Sequence, residues 1–292
     1  MRLSSVRHDG GEDVGIATGT GIVLLSTVNR LTGARLGPSL LDIIRHRQLP
    51  EIARAVAALT ELGDDLGYQG PVVFAPLLRE PPKLWGAGLN YARHAADLEV
   101  EQPEGMPGSY LRPSSTVIGD GDAIIIPRQS QRVTAEAELG VVIGVTCRDV
   151  RPEDARSVIA GYTTVLDMTA EDAIRINPRF IPWAKAFDTF CSIGPWLVTP
   201  DEVEDLTATR VATIVNGETI ADNVVAAMMR DPFWLVSHFS AGMTLEAGTV
   251  IATGTPGAGV IRDGDVVEAH VEGIGRLRNP VVAAASVLSE VG

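Results

Sequence analysis

Apolar and polar residues come in short blocks at the start of the chain, separated by glycine. Residues 1 to about 35 read as short strands with turns at Gly10-Gly11 and Gly19-Thr20-Gly21, and Ile22–Val28 is predicted as a strand. From Ser39 the pattern turns helical. Ser39 can cap a helix through LLDIIRH, and EIARAVAALTEL forms a second helix after Pro50, ended by the glycines at 67 and 70. Residues 1–78 are therefore read as a small α/β lead-in, with the proline-rich PLLREPPKLW (Pro76–Trp85) at its boundary. Gly86 and Gly88 are expected to break any regular element ahead of a short helix starting near Asn90 or Tyr91. Residues 98–108, LEVEQPEGMPG, have no periodicity and read either as a lid or as a plain surface loop. Further on, a helix is predicted near Pro152, then a strand YTTVLDM carrying Asp167 at its end. An Asn-Gly hairpin follows in TRVATIVNGETIAD, then a helix in DPFWLVSHFSAGM with His238 on its face, then strands alternating with glycine turns.

The most informative block is AEAELGVVIG (Ala135–Gly144). Its aliphatic, β-branched run favours a strand, on which residues two apart share a face. Glu136 and Glu138 would then project together. Two ionised carboxylates about 4 Å apart repel by roughly 4 kcal/mol at an effective dielectric near 20. Rooted in an apolar strand, such a pair needs solvent, a shared proton or a cation. The stretch between Glu138 and Asp167 is long enough for strand, helix and strand, so a third carboxylate can return beside the first two.

Composition narrows the class. With 292 residues, 45% hydrophobic and 21% charged, the chain has the make-up of a soluble globular protein that needs no covalent staples. Two cysteines, Cys147 and Cys191, argue against a disulfide framework and for a reducing, cytoplasmic compartment. A net charge of −13 opposes binding to nucleic acid or to an anionic membrane. The N-terminus shows no signal-peptide pattern, and no apolar run approaches a membrane span.

Other polar positions are ambiguous on their own. His94 and Asp97 share a face of the predicted helix, as a base and its orienting acid would, or as an incidental surface pair. Lys185, between alanines, has the context of a solvated lysine. GTPGAG (254–259) lacks the strand–turn–helix unit of a nucleotide loop.

Five blocks in order, GLNYARHAAD, AEAELGVVIG, GYTTVLDMTAEDA, KAFDTFCSIGPW and VIATGTPGAGV with DGDVVEAHVEGIGRLRNPV, resemble the fumarylacetoacetate hydrolase family. The resemblance implies a mixed α+β fold, predominantly a rolled β-sandwich over residues 79–292, generally as a homodimer. It implies a divalent cation, usually Mg²⁺ with Mn²⁺ or Ca²⁺ as substitutes, at Glu136, Glu138 and Asp167. His94 with Asp97 would activate water, and Lys185 would hold substrate oxygens. Thr255, Tyr110, Arg112 and Glu171 are the candidate substrate contacts. The expected activity is hydrolysis of a C–C bond in an acylpyruvate-like or 1,3-diketo acid through a metal-stabilised enolate. The alternatives are decarboxylation of a 2-oxo acid, keto–enol isomerisation, or a silent binding paralogue.

The chain departs from the family pattern at three points. Glu171 and Ile174 stand where an Arg and a Gln commonly contact substrate, so the substrate is expected to differ at that end. The neighbouring Arg175 is expected to face elsewhere. Asp97 replaces a common Glu, and Leu166 a frequent Asn, which is expected to loosen support of the metal aspartate.

Overall fold

The computed structural model describes residues 1–284 apart from 10, 20, 62–65 and 98–104, and the side chains of Thr60, Glu61 and Asp97 also lie outside the description. The chain opens with strands β1 (Arg2–His8), β2 (Gly11–Thr18) and β3 (Gly21–Leu24), then helices α1 (Leu25–Thr32), α2 (Leu40–Arg45) and α3 (Leu49–Glu61). Strands β4 (Val73–Phe74) and β5 (Leu84–Gly88), helix α4 (Ala92–Asp97), and strands β6 (Gly108–Leu111), β7 (Val117–Ile118) and β8 (Ile124–Ile126) follow. The centre consists of β9 (Val133–Ile143), β10 (Ile159–Ala170), helices α5 (Glu171–Ile176) and α6 (Ile181–Lys185), and β11 (Cys191–Val198). The remainder is β12 (Arg210–Val215), β13 (Glu218–Val224), α7 (Pro232–Gly242), β14 (Val250–Ala252), β15 (Ala258–Ile261), β16 (Val266–Val271) and β17 (Gly275–Ala283).

The result is a mixed α/β fold dominated by two sheets. The larger runs in the order β3-β2-β1-β11-β10-β9-β14-β5-β6, with β15 also on β9, β4 on β1 and β7 on β11. The smaller runs β13-β12-β16-β17-β8. Because β1 pairs with β11, the N-terminal strands extend the main sheet.

Strand β9 is buried along its whole length, and its two faces differ. Val133, Ala135, Ala137, Leu139, Val141 and Ile143 enter a core shared with Val211, Val267, Val271 and Leu277 of the smaller sheet. Val142 on the opposite face joins Val165 and the helix residues Leu25, Ile43 and Ile52 in a second core. Glu136 and Glu138 have the parity of Val142, so they point away from the inter-sheet core. On β10, Leu166, Met168 and Ala170 belong to the inter-sheet core, while Asp167 shares parity with Val165. Leu166 thus fills the core on the far side of the strand from the Asp167 carboxylate, and its replacement of a polar residue is a packing choice.

Several local expectations hold. Ser39 caps α2 by accepting the Asp42 amide at 3.2 Å. Asn216 and Gly217, at φ 50° and 82°, make the turn between β12 and β13. Others need correction. Within Ile22–Val28 the strand stops at Leu24 and α1 begins, because Leu25 and Val28, three apart, share a buried helix face and would point to opposite faces of a strand. Helix α3 starts at Leu49, one residue before Pro50, with the proline inside its tolerant first turn. The helix expected near Pro152 is a 3₁₀ helix, Pro152–Val158, and the strand after it already starts at Ile159.

Gly86 and Gly88 do not interrupt structure; they lie within β5. Their role is steric. Gly86 pairs with Tyr110 across β5 and β6, and a β-carbon at Gly86 would lie 2.1 Å from the Tyr110 ring. The missing side chain is the space that the aromatic ring occupies. Gly86→Ala should therefore cost roughly 1–3 kcal/mol of overpacking, read as a lower urea midpoint. Gly88→Ala, whose added carbon would meet only the Gly108 carbonyl oxygen at 3.8 Å, should stay close to wild type.

Candidate metal centre and substrate cleft

The register of β9 on β10 sets Asp167 directly across from Glu136 and Val165 across from Glu138. One ligand oxygen from each of Glu136, Glu138 and Asp167 lies within 4.8 Å of the others, and all three residues are buried. Each carboxylate is held differently. Glu138 accepts the Gly254 amide at 2.7 Å, in a turn where Gly254 sits at φ +98°. Glu136 accepts Lys185 Nζ at 3.1 Å and the Thr169 hydroxyl at 3.1 Å. Asp167 accepts the Tyr110 hydroxyl, Arg112 Nη2 and, at 2.9 Å, Lys185 Nζ.

Lys185 is not a surface lysine. At the end of α6 it is buried, donates to Thr169 at 2.7 Å as well as to the two carboxylates, and lies 4.7 Å from the centre of the Tyr110 ring. Arg112 also donates to the backbone carbonyls of Lys185 and Met168. Tyr110 and Arg112, alternate residues of one short stretch, are thus committed to orienting Asp167 in this structure.

Electrostatics follow from this arrangement. Burial pushes the Glu136 carboxyl up, but Lys185, His94 and the hydrogen bonds from Lys185 and Thr169 outweigh it and bring it below the ordinary range. Burial, with Glu136 adding to it, raises Glu138 to about 7 against Lys185, the Gly254 amide and Arg112. Burial lowers the Lys185 ammonium, opposed by Glu136. Three carboxylates face two cations, so one negative charge lacks a partner and Glu138 carries the strain. An all-oxygen donor set of this kind, with a surplus carboxylate, fits a hard divalent cation.

Beside this cluster lies a cleft of about 400 Å³, lined by Glu136, Thr169, Tyr110, His94 and Glu171, with Ile174, Pro178 and Ile181 as an apolar wall. His94 is buried, and its Nδ1 has no hydrogen-bond partner among the described residues. The expected partner side chain, Asp97, lies outside the described residues, as does most of the expected lid, 98–104. Thr255 is buried, but its hydroxyl bonds within its own turn, to the Gly257 carbonyl at 3.0 Å, and it does not line the cleft. Glu171 does line it, and so does Arg175, one helical turn on and bonded to Glu171. The expectation that Arg175 faces elsewhere is therefore corrected: positions four apart on a helix lie on one face.

Sequence reading missed Thr169 and Asn90. Thr169 lies two residues beyond Asp167 on the same strand face, a parity that was available to find it. Asn90 is fully buried and ties the Thr253 carbonyl (2.7 Å), the Arg230 carbonyl (2.9 Å) and the Arg230 amide (2.9 Å) together, which fixes the turn that presents Gly254. No local pattern marks it.

Comparison with known proteins finds relatives in sequence and in structure. The family described as fumarylacetoacetate (FAA) hydrolase C-terminal matches residues 83–282. A protein of Archaeoglobus fulgidus is 43% identical over 221 residues, 74% of this chain and 86% of its own. The human mitochondrial oxaloacetate tautomerase FAHD2A is 35% identical over 220 residues, covering 72% and 70%. The structure of maleylpyruvate hydrolase from Sphingobium sp. SYK-6 in complex with manganese(II) and pyruvate superposes with a TM-score of 0.79 at 30% identity, covering 98% of this chain and all of that one. No described helix is long and apolar enough to cross a membrane.

The raised Glu138 carboxyl has a measurable sign. Its folded value, about 7, lies above the ordinary carboxylate value of 4.5, so its contribution to stability is full below about 4.5 and is lost as pH rises through 7. The cation-free protein should lose melting temperature across that window, and Glu138→Gln should flatten the loss. Added Mn²⁺ should raise the melting temperature more at pH 8 than at pH 6, because binding requires the carboxylate. An equal gain at both values would contradict a cation site at Glu138.

Proposed function

The chain belongs to the fumarylacetoacetate (FAA) hydrolase family, and from that membership we propose that it is a divalent-cation-dependent hydrolase of a C–C bond in an acylpyruvate-like or 1,3-diketo acid. One observation carries the choice of hydrolysis: His94, buried and with no partner for Nδ1 among the described residues, shares the cleft wall with Glu136 and Thr169. A nitrogen available to accept a proton is what water activation requires.

Glu136, Glu138 and Asp167 would hold the cation, Mg²⁺ or Mn²⁺. When bound, it supplies Lewis-acid charge for the oxygens of a 2-oxo acid. The chain's own groups do the rest. His94 takes a proton from water as that water attacks the distal carbonyl. The C–C electron pair leaves toward the oxo group, generating an enolate, and Lys185 places a positive charge where that negative charge develops. Tyr110 and Arg112 keep Asp167 in place, and the wall of Ile174, Pro178 and Ile181 limits water to the reacting end.

A second reading, keto–enol isomerisation or decarboxylation of a 2-oxo acid, is favoured by the likeness to oxaloacetate tautomerase. It needs the same enolate stabilisation without the attacking water. Product analysis separates the two. With Mg²⁺, acetylpyruvate or the dicarboxylate succinylpyruvate should yield pyruvate together with acetate or succinate, whereas oxaloacetate converted to its enol or to pyruvate and CO₂, with both acylpyruvates untouched, would favour the second reading. Glu138→Ala should abolish cation binding in calorimetry. His94→Ala should retain it and lower hydrolysis by about 10²–10⁴-fold; hydrolysis surviving that change would rule out His94 as the base.

A further inference from the structure

The cleft has a second charged wall that the proposed reaction leaves unused. Glu171, on the first turn of α5, accepts Arg132 Nε at 2.6 Å through Oε2 and Arg175 Nε at 2.8 Å through Oε1, and Arg175 Nη2 also donates to Oε1. The Glu171 side chain is 9% exposed, against 46% for Arg132 and 58% for Arg175. The buried carboxylate therefore grips the inner edges of two accessible guanidiniums. Arg132 Nη1 and Nη2 and Arg175 Nη1 keep donors without a partner among the described residues. The trio carries one net positive charge.

Its position relative to the carboxylate cluster is fixed by the sheet. Along the β9–β10 ladder, Glu136 faces Asp167 and Thr134 faces Thr169, and just beyond the strand the Glu171 amide donates to the Arg132 carbonyl at 2.9 Å. Arg132 thus lies four residues from Glu136, about 13 Å of extended backbone at ~3.3 Å per residue. A recess of about 90 Å³ bounded by Arg132, Glu171, Arg175 and His94 adjoins the main cleft and shares its walls at His94, Glu171 and Arg175. Since ~10–15 Å³ already accommodates one water, the recess admits a carboxylate. The main cleft itself is lined by Ile174, Pro178 and Ile181, a wall suited to methylene groups.

We propose that Arg132 and Arg175, positioned by Glu171, form a subsite for the distal carboxylate of the substrate, so that the protein selects 2-oxo acids carrying a second carboxylate over their monocarboxylate counterparts. This inference rests on the 2-oxo acid reading above. Guanidiniums take carboxylates through paired, charge-assisted hydrogen bonds, and the pair makes a net cationic end where Glu171 by itself would repel the substrate's carboxylate.

The test is calorimetric binding to the Mn²⁺-loaded protein. The probes are linear 2-oxo dicarboxylates of five to seven carbons, each against the monocarboxylate of equal length, with oxalate as a ligand that has no distal group. The wild type should bind at least one dicarboxylate ten-fold or more tightly than its monocarboxylate partner. Arg132→Gln with Arg175→Gln, changes at half-exposed sites, should reduce that ratio to about one while leaving oxalate affinity unchanged. Oxalate binding without any preference for dicarboxylates would overturn the subsite and leave the proposed function standing. A preference that survives the double substitution would also overturn it. Failure of oxalate and of every 2-oxo acid to bind would defeat the proposed function, and this subsite with it.

Discussion

The site depends on how one aspartate is held. Asp167 is fully buried and receives Tyr110, Arg112 and Lys185 together. A buried carboxylate without such partners would cost several kcal/mol in desolvation, and the three partners come from two separate pieces of the fold. Tyr110 reaches it over Gly86, Arg112 from the residue after β6, and Lys185 from the end of α6. The convergence locks β5, β6 and α6 onto the edge of the β9–β10 ladder. Glu136 benefits, because the ammonium that serves Asp167 also serves it. Glu138 accepts no hydrogen bond from that ammonium, and burial, with Glu136 adding to it, raises its carboxyl.

Much of this was legible in the chain. The Glu136/Glu138 pair follows from strand parity alone, and the return of Asp167 from the length of chain between two strands. The Asn-Gly hairpin and the Ser39 cap are local chemistry and appear where the residues placed them. What was not legible is non-local. Lys185 between alanines has a surface context in sequence, and the docking of α6 against β10 and β6 buries it. Gly86 and Gly88 look like breakers because the sequence does not show that Tyr110 lies across the first of them. Leu25 to Val28 looks strand-like from its apolar content, but Leu25 and Val28, three apart, share a helix face and would point to opposite faces of a strand. Arg175 was misplaced for a simpler reason: its spacing from Glu171 is one helical turn, and that spacing prevails over adjacency in the chain.

Two kinds of support meet in the cleft. The carboxylate end is built on two long strands buried along their whole length. The arginine end is built on α5, a six-residue helix that begins where β10 stops and is tied back by Asp172, which accepts the Ser130 hydroxyl and the Gln131 amide, both at 2.7 Å. The first end tolerates no change of register, because shifting β9 by one residue would send both glutamates into the inter-sheet core. The second end sits beyond the ladder and can exchange its side chains without disturbing it.

The parity of β9 has a corollary. The same strand that seals the two cores also carries two of the three clustered acids, so the register that packs the cores is the register that brings those acids together. Substrate choice lies on a short appendage outside that constraint. Changes on α5 can therefore alter the far end of the cleft while the register that gathers the acids stays intact.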